Sequence, residues 1–261
     1  MSIRHWNLSI LITIWLGLSA TAMASDLSRE ERIADQIVDS IMDGEAVNLS
    51  ADGRDFVAIE MPNDSEISRG AAIILHGRGL HPNWEQVVKP LRTLLPEHGW
   101  HTLALQMPVM EKKAKYFDYV PIFPEAYPRI EAAIDHLKAQ GFKHIVLIAH
   151  SCGAHMAMHW IDLNGDNDIA GYVGIGMGAT DYKQKMVKPF PLDKMKVPTL
   201  DLYGEKDFPA VLRMAPERWS KIQKSGNTLS QQIQINGADH YFVDKGDELV
   251  EAVSGWLNTT F

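Results

Sequence analysis

The sequence predicts an α/β domain with a mostly parallel central sheet, an antiparallel hairpin at its N-terminal edge, and helices on both faces. Two observations point there. Apolar runs of strand length alternate with helix-length segments from about residue 71 onward, the pattern of a parallel sheet covered on both sides. Ahead of them, Asp52-Gly53 separates two short strand-like runs, and that dipeptide is a strong hairpin signal.

The elements follow in order. Residues 1–24 read as a secretory signal peptide. Arg4 gives a positive start, Leu8 to Leu18 an apolar stretch broken only by Ser9, Thr13 and Gly17, and Ala22-Met23-Ala24 a small-residue cleavage site. The apolar stretch is shorter than the ~20 residues a spanning helix needs, so cleavage is expected rather than a retained anchor. The folded domain is then 25–261, exported to the periplasm or secreted, with no stable membrane insertion after cleavage. A helix is expected over 27–42, opened by a Ser28-x-x-Glu31 capping box and carrying Leu27, Ile33, Ile37, Val38 and Ile41 at helical spacing. Strands at about 45–50 and 54–61 flank the hairpin turn. A buried strand over 71–76 leads to a helix over 83–97, and a strand over 100–105 follows Gly99. Residues 107–126, with Pro108, Pro121 and Pro124, read as irregular. A helix over 127–140, a buried strand over 144–149, a helix after Ser151, and strands at 170–176 and 197–203 come next. A helix at 210–223, a strand at 229–235 and a helix at 246–257 complete the chain.

Composition narrows the function classes. The net charge is -8, and loss of the leader, whose one charged residue is Arg4, takes it to about -9. That argues against nucleic acid, which selects a basic face. Cys152 is the single cysteine, so no internal disulfide forms despite the expected export. A domain of about 237 residues suits one large core.

In such sheets ligands bind beyond the carboxyl ends of the strands, and the chemistry-bearing residues fall there. Ile145 to Ala149 is a strand, His150-Ser151-Cys152-Gly153 a sharp turn, and Ala154 to Trp160 a helix. This strand–turn–helix setting makes Ser151 the candidate nucleophile. The residues two positions away, Ala149 and Gly153, are small, as the strained turn requires, although alanine stands where glycine is usual. A serine that merely caps a helix needs neither feature. Cys152 fits better as a backbone N–H donor than as a nucleophile.

A serine needs a base, and the base a third group to hold it. Asp207 follows the strand containing Asp201 and is the candidate acid; Glu205 is its closest competitor. His240, the one histidine after Asp207, follows the last strand and is the candidate base. For the oxyanion, the N–H of Cys152 and that of Arg78, between Gly77 and Gly79, are the candidate donors, with Gly77 or Gly79 as alternatives to Arg78. His76 is expected to hydrogen-bond the loop backbone.

Leu75-His76-Gly77, the turn at Ser151, Gly204-x-x-Asp207 and Asp239-His240 together resemble the α/β-hydrolase superfamily over about residues 45–258. The stretches Leu75 to Trp84 and Pro96 to Trp100 also resemble an uncharacterised bacterial exported family. The resemblance implies the α/β-hydrolase fold and a Ser-His-Asp triad, and names no substrate. The segment 177–196, where many relatives carry a lid, is short, so a minimal lid and an open site are expected.

His155 and His159 stand four apart on one helix but lack the glutamate of a zinc motif, so no metal is expected. The chemistry calls for no cofactor. Met107, Met110, Tyr116, Phe117, Tyr119 and Phe123 either wall an acyl or aromatic pocket or pack on one another. The leading expectation is an exported serine hydrolase cleaving an ester, thioester or amide of a small-molecule or acyl substrate through an acyl-enzyme. Its rival is a non-catalytic periplasmic binding or envelope protein that keeps the fold. Oligomeric state is left open.

Overall fold

The computed structural model describes residues 24–181 and 184–261. The leader expected over 1–24 lies, except for Ala24, outside the described residues. Among those residues no helix is long and apolar enough to cross a membrane.

The elements run α1 (Leu27–Val38), β1 (Glu45–Ala51), β2 (Arg54–Met61), β3 (Gly70–Leu75), α2 (Val88–Leu94), β4 (Trp100–Leu105), α3 (Tyr116–Tyr119), α4 (Tyr127–Ala139), β5 (Ile145–His150), α5 (Cys152–Asn164), β6 (Gly171–Ile175), β7 (Thr199–Lys206), α6 (Pro209–Ser225), β8 (Gln231–Asp239) and α7 (Gly246–Thr260). One eight-stranded sheet has the order β1-β2-β4-β3-β5-β6-β7-β8. The β1/β2 and β2/β4 pairs are antiparallel; every other pair is parallel. This is the α/β-hydrolase fold that the sequence predicts.

Side chains alternate across the sheet and fill two separate cores. Ile73, Leu103, Leu105, Ile145 and Leu147 face one side, where Ile130, Ile134 and Leu137 of α4 and Met156, Ala157 and Trp160 of α5 cover them. Ala72, Ile74, Ala104, Val146 and Ile148 face the other, under Val88 and Leu91 of α2 and Leu249, Val253 and Trp256 of α7. Both faces are covered, which explains why β3 and residues 145–149 of β5 are apolar throughout.

Four local expectations are corrected. The cap of α1 is Asp26, whose carboxylate accepts the Arg29 N–H at 3.0 Å, and Ser28 already lies in the first turn. The helix stops at Val38 because Ser40 turns back to cap the Ile37 carbonyl through its hydroxyl at 2.9 Å. The second helix starts at Val88 rather than 83, because Val87 has a φ of 61°, a conformation no helix interior holds. Residues 107–126 are more ordered than expected, with the single turn α3 followed by a 3₁₀ segment over Val120–Ala126.

Strand register positions the site. β5 pairs His150 with Ile175 of β6, so Ser151 and Gly176 emerge side by side. β7 and β8 run further than expected, and the Lys206↔Asp239 pair, beyond a bulge at Gly204, brings Asp207 and His240 out together.

Candidate active site

Ser151 has φ 54° and ψ -115° and donates its backbone N–H to the Ile175 carbonyl at 2.9 Å. A non-glycine residue held there stores on the order of 1–3 kcal/mol of strain. The turn is possible because its neighbours are small. A Cβ on Gly153 would lie 2.6 Å from the His76 carbonyl oxygen and 2.9 Å from that of Leu75. The strain lifts the Ser151 hydroxyl off the sheet, at the N-terminus of the 13-residue α5.

The three residues picked out along the chain meet here. The Ser151 hydroxyl donates to His240 Nε2 at 2.8 Å, and His240 Nδ1–H donates to Asp207 Oδ1 at 2.6 Å. Asp207 Oδ1 also accepts the Phe208 N–H at 2.6 Å. Asp207 and His240 are both buried. Asp239 Oδ1 accepts the N–H groups of Tyr241 and Val243 at 3.0 and 3.1 Å, which ties the turn carrying His240. Such a chain of hydrogen bonds can pass the serine proton to the imidazole and keep the resulting cation beside a carboxylate.

The competitors are engaged elsewhere. Glu205 accepts the Gly237 N–H at 2.8 Å at the surface. Asp201 is buried against Arg218, whose Nε donates to both carboxylate oxygens at 3.0 and 2.9 Å. Burial pushes the Asp201 carboxyl up from its ordinary range, while Arg218 and Gln232 oppose that rise. Arg218 also holds the Met177 carbonyl at 2.9 Å, which fixes the backbone just past Gly176. The Cys152 thiol is buried and pushed up to about 12 by burial, against the opposing pull of Arg78. A thiol in that state is a poor nucleophile.

The loop after β3 is held from behind. His76 Nδ1–H donates to the Gly77 carbonyl at 2.7 Å, and its Nε2 accepts the Met107 N–H at 2.9 Å. Burial holds this imidazole neutral, down to about 3. Because the Gly77 carbonyl is turned to His76, the trans peptide directs the Arg78 N–H to the opposite side. Arg78, Cys152, Gly77 and Ser151 all line one cavity. Among the described residues neither the Arg78 nor the Cys152 N–H donates in a loop or cap hydrogen bond. The Arg78 side chain pairs with Asp181 at 3.0 Å, and Asp181 also accepts the Tyr116 N–H.

Several residues around the site become apparent only in the structure. The Phe208 ring stacks on His240 at 4.1 Å between centroids. His150 donates from Nε2 to the His240 carbonyl at 3.0 Å, and its imidazole is held down to about 3, first by burial and then by the neighbouring His240. Gly176, at φ 60°, lets the end of β6 lie against His240, since a Cβ there would sit 2.8 Å from His240 Cε1. A glycine directly after a strand was a readable clue, and the aromatic after Asp207 was not. His155 donates from Nε2 to the Ala179 carbonyl at 3.1 Å, and His159 stacks on Tyr127.

Among the described residues no cap domain covers the site, yet it is narrower than expected. The cavity above Ser151 measures about 50 Å³, crowded by Leu80, Tyr116, Phe208 and Tyr241. Larger clefts of about 650 and 770 Å³ lie away from Ser151, one between β8 and α7 and one between α1 and the β1/β2 hairpin. Of the aromatics in 107–126, Tyr116 lines the small cavity, while Tyr119 and Phe123 pack in the core.

A family model described as a protein of unknown function (DUF3530) matches residues 19–118 and 125–259. No curated protein matches the chain. Among solved structures, an alpha-beta serine hydrolase homologue from Coxiella burnetii is 18% identical with a TM-score of 0.62, covering 82% of this chain and 98% of that one. An esterase from Pyrococcus furiosus is 17% identical with a TM-score of 0.64, covering 83% and 92%. A serine hydrolase without a lid from Xanthomonas campestris is 15% identical with a TM-score of 0.59, covering 84% and 95%. At these identities the likeness is one of fold.

Proposed function

The chain belongs to the family of proteins of unknown function DUF3530, and we propose that this member is an exported serine hydrolase that cleaves an ester of a short acyl group. The observation that carries the reading is the unbroken hydrogen-bonded chain from Ser151 through His240 to Asp207, at 2.8 and 2.6 Å, with the serine held at a strained φ of 54°. The fold shared with an esterase and serine hydrolases supports it by analogy.

In this reading His240 Nε2 takes the Ser151 proton as Oγ attacks the acyl carbon. Asp207 keeps the imidazole in the Nδ1–H tautomer and stabilises the imidazolium that forms. The carbonyl oxygen becomes an oxyanion, received by the N–H groups of Arg78 and Cys152 at the N-terminus of α5. His240 then gives its proton to the leaving alkoxide, and the acyl group stays on Ser151. A water, deprotonated by the same imidazole, releases the acid and restores the serine. The small cavity and its aromatic walls favour a short acyl chain over a long one.

A binding protein that kept the fold would gain nothing from strain at Ser151, so the enzyme reading is preferred. A chain-length series of nitrophenyl esters, with thioester and anilide counterparts, tests it. Acetyl and propionyl esters should be hydrolysed and longer ones progressively less, with Ser151→Ala inactive. Hydrolysis no faster than by Ser151→Ala across the series overturns the proposal.

A further inference from the structure

The N-terminal helix is fastened to the site more firmly than a surface strap needs to be. The Asp26 N–H donates to the Val109 carbonyl at 2.7 Å. Glu30 accepts the Val109 N–H at 3.1 Å and pairs with Arg129 at 2.8 Å. Arg29 donates to the Gly79 carbonyl at 3.0 Å and to that of Met110. Gly79 belongs to the loop whose Arg78 N–H faces the Ser151 cavity, so α1 braces that loop directly.

The residue that starts this brace is Ser25, which is 8% exposed. Its N–H faces both oxygens of Glu125, at 3.1 and 3.3 Å. One amide hydrogen shared between two carboxylate oxygens leaves most of the acceptor capacity unused. Among the described residues no side-chain cation pairs with Glu125, while Glu30 nearby has Arg129. Ala24, immediately before, is exposed and lies at the cleft that Glu125 also lines. This nitrogen is also the one that removal of the expected leader would free.

We propose that the α-ammonium of Ser25, created by cleavage after Ala24, is the partner Glu125 is placed to receive, and that this ion pair completes the brace on the loop beside Ser151. An exported-protein endopeptidase supplies the cut. Water adds across the Ala24–Ser25 peptide bond; the Ala24 carbonyl leaves with the leader as a carboxylate, and the Ser25 nitrogen takes up protons to become an ammonium. Three N–H donors then replace one, and a contact in which only the acceptor is charged becomes an ion pair with charge on both sides. Cleavage thus changes the chemistry of the brace as well as removing the leader.

The proposal rests on the export reading and not on the hydrolase reading, and its test needs no substrate. A chain beginning at Ser25 with a free α-amine is compared with one that retains Ala24, where the Ser25 nitrogen stays an amide. Each is made with Glu125 and with Glu125→Gln, an isosteric change. The free-amine form should melt about 2–4 °C above the Ala24 form, and the gap should close in the Glu125→Gln pair. Amides of residues 77–80 should also exchange more slowly with solvent in the free-amine form. Equal melting of the two forms, or a gap that survives Glu125→Gln, overturns the proposal. N-terminal sequencing of the exported protein tests the cleavage position separately: a start at Ser25 supports the proposal, a start at another cleaved bond overturns it whatever the melting shows, and an uncleaved chain refutes the export reading on which it rests.

Discussion

Gly176 stands at the end of β6 with a φ of 60°, and a Cβ there would lie 2.8 Å from His240 Cε1, 3.0 Å from Nδ1 and 3.3 Å from Asp207 Oδ2. Carbon atoms pack best at about 3.5–4.0 Å, so in Gly176→Ala the imidazole must retreat by roughly 0.7 Å or more. The ring is held by Asp207 at 2.6 Å, by Ser151 at 2.8 Å and by the stacked Phe208 at 4.1 Å. Any such movement lengthens at least one of those contacts. Misplacement of a reacting group by about 1 Å costs on the order of 100-fold in rate, so kcat for a short-chain ester should fall by about that factor with KM little changed. The left-handed backbone adds about 1–2 kcal/mol of strain. Gly141→Ala is the control: Gly141 has a φ of 95° and nothing within 4 Å of its Cβ position, far from the site. It should destabilise the fold similarly and leave kcat unchanged. The assay is ester hydrolysis and thermal melting on both variants. If Gly176→Ala keeps kcat within about threefold, or Gly141→Ala loses as much, the argument that Gly176 sets the position of His240 fails.

Other consequences can be checked alongside. Arg218→Met strands the buried Asp201 carboxylate and should cost about 3–5 kcal/mol in urea unfolding, most of it recovered in Arg218→Met with Asp201→Leu; no loss in the single variant would contradict the buried ion pair. His76 and His150 are each held down to about 3 by burial, from an ordinary 6.5. Their folded values lie below their unfolded ones, so their contribution is fully present above about pH 6.5 and is lost progressively as pH falls toward 3, at about 1.4 kcal/mol per pH unit for each. Buried His155, held down to about 4, adds to the slope; unfolding free energies should fall between pH 7 and 5, His150→Asn should make that fall shallower by up to about 1.4 kcal/mol per pH unit, and a flat profile would refute it. Ser151→Gly releases the strain at φ 54° and should melt above Ser151→Ala, which keeps it; equal melting points would show that the strain is not stored there.

The sheet was legible in the chain because its strands are buried on both faces and read as continuous apolar runs, such as Ile145 to Ala149. Boundaries were less legible where one residue's backbone decides them. Val87 looks like a helix-compatible apolar residue, yet its positive φ delays α2. Ser28 and Glu31 mimic a capping box, while Asp26 makes the cap. Prolines at 108, 121 and 124 suggested an irregular stretch where short turns of helix form.

For the site, Ser151, Asp207 and His240 were selectable because each follows a strand and their chain order is constrained. The residues that fix them depend on pairing across the sheet. Phe208 and Gly176 reach His240 only because β6, β7 and β8 stand in a particular register, and Arg218 reaches Asp201 of β7 from α6. The width of the site was also hidden. A short lid segment suggests openness, but Tyr116, Phe208 and Tyr241 come from three separate segments to narrow it.

The central claim is that Ser151 is a nucleophile activated by His240 and Asp207. A fluorophosphonate probe tests it without knowledge of the substrate, since the reagent phosphonylates an activated serine and leaves an adduct that peptide mass spectrometry can place. The account predicts a single adduct on Ser151, lost in Ser151→Ala and slowed by at least about 100-fold in His240→Ala. A wild-type protein that does not label, or a Ser151→Ala variant that labels equally well, would contradict it.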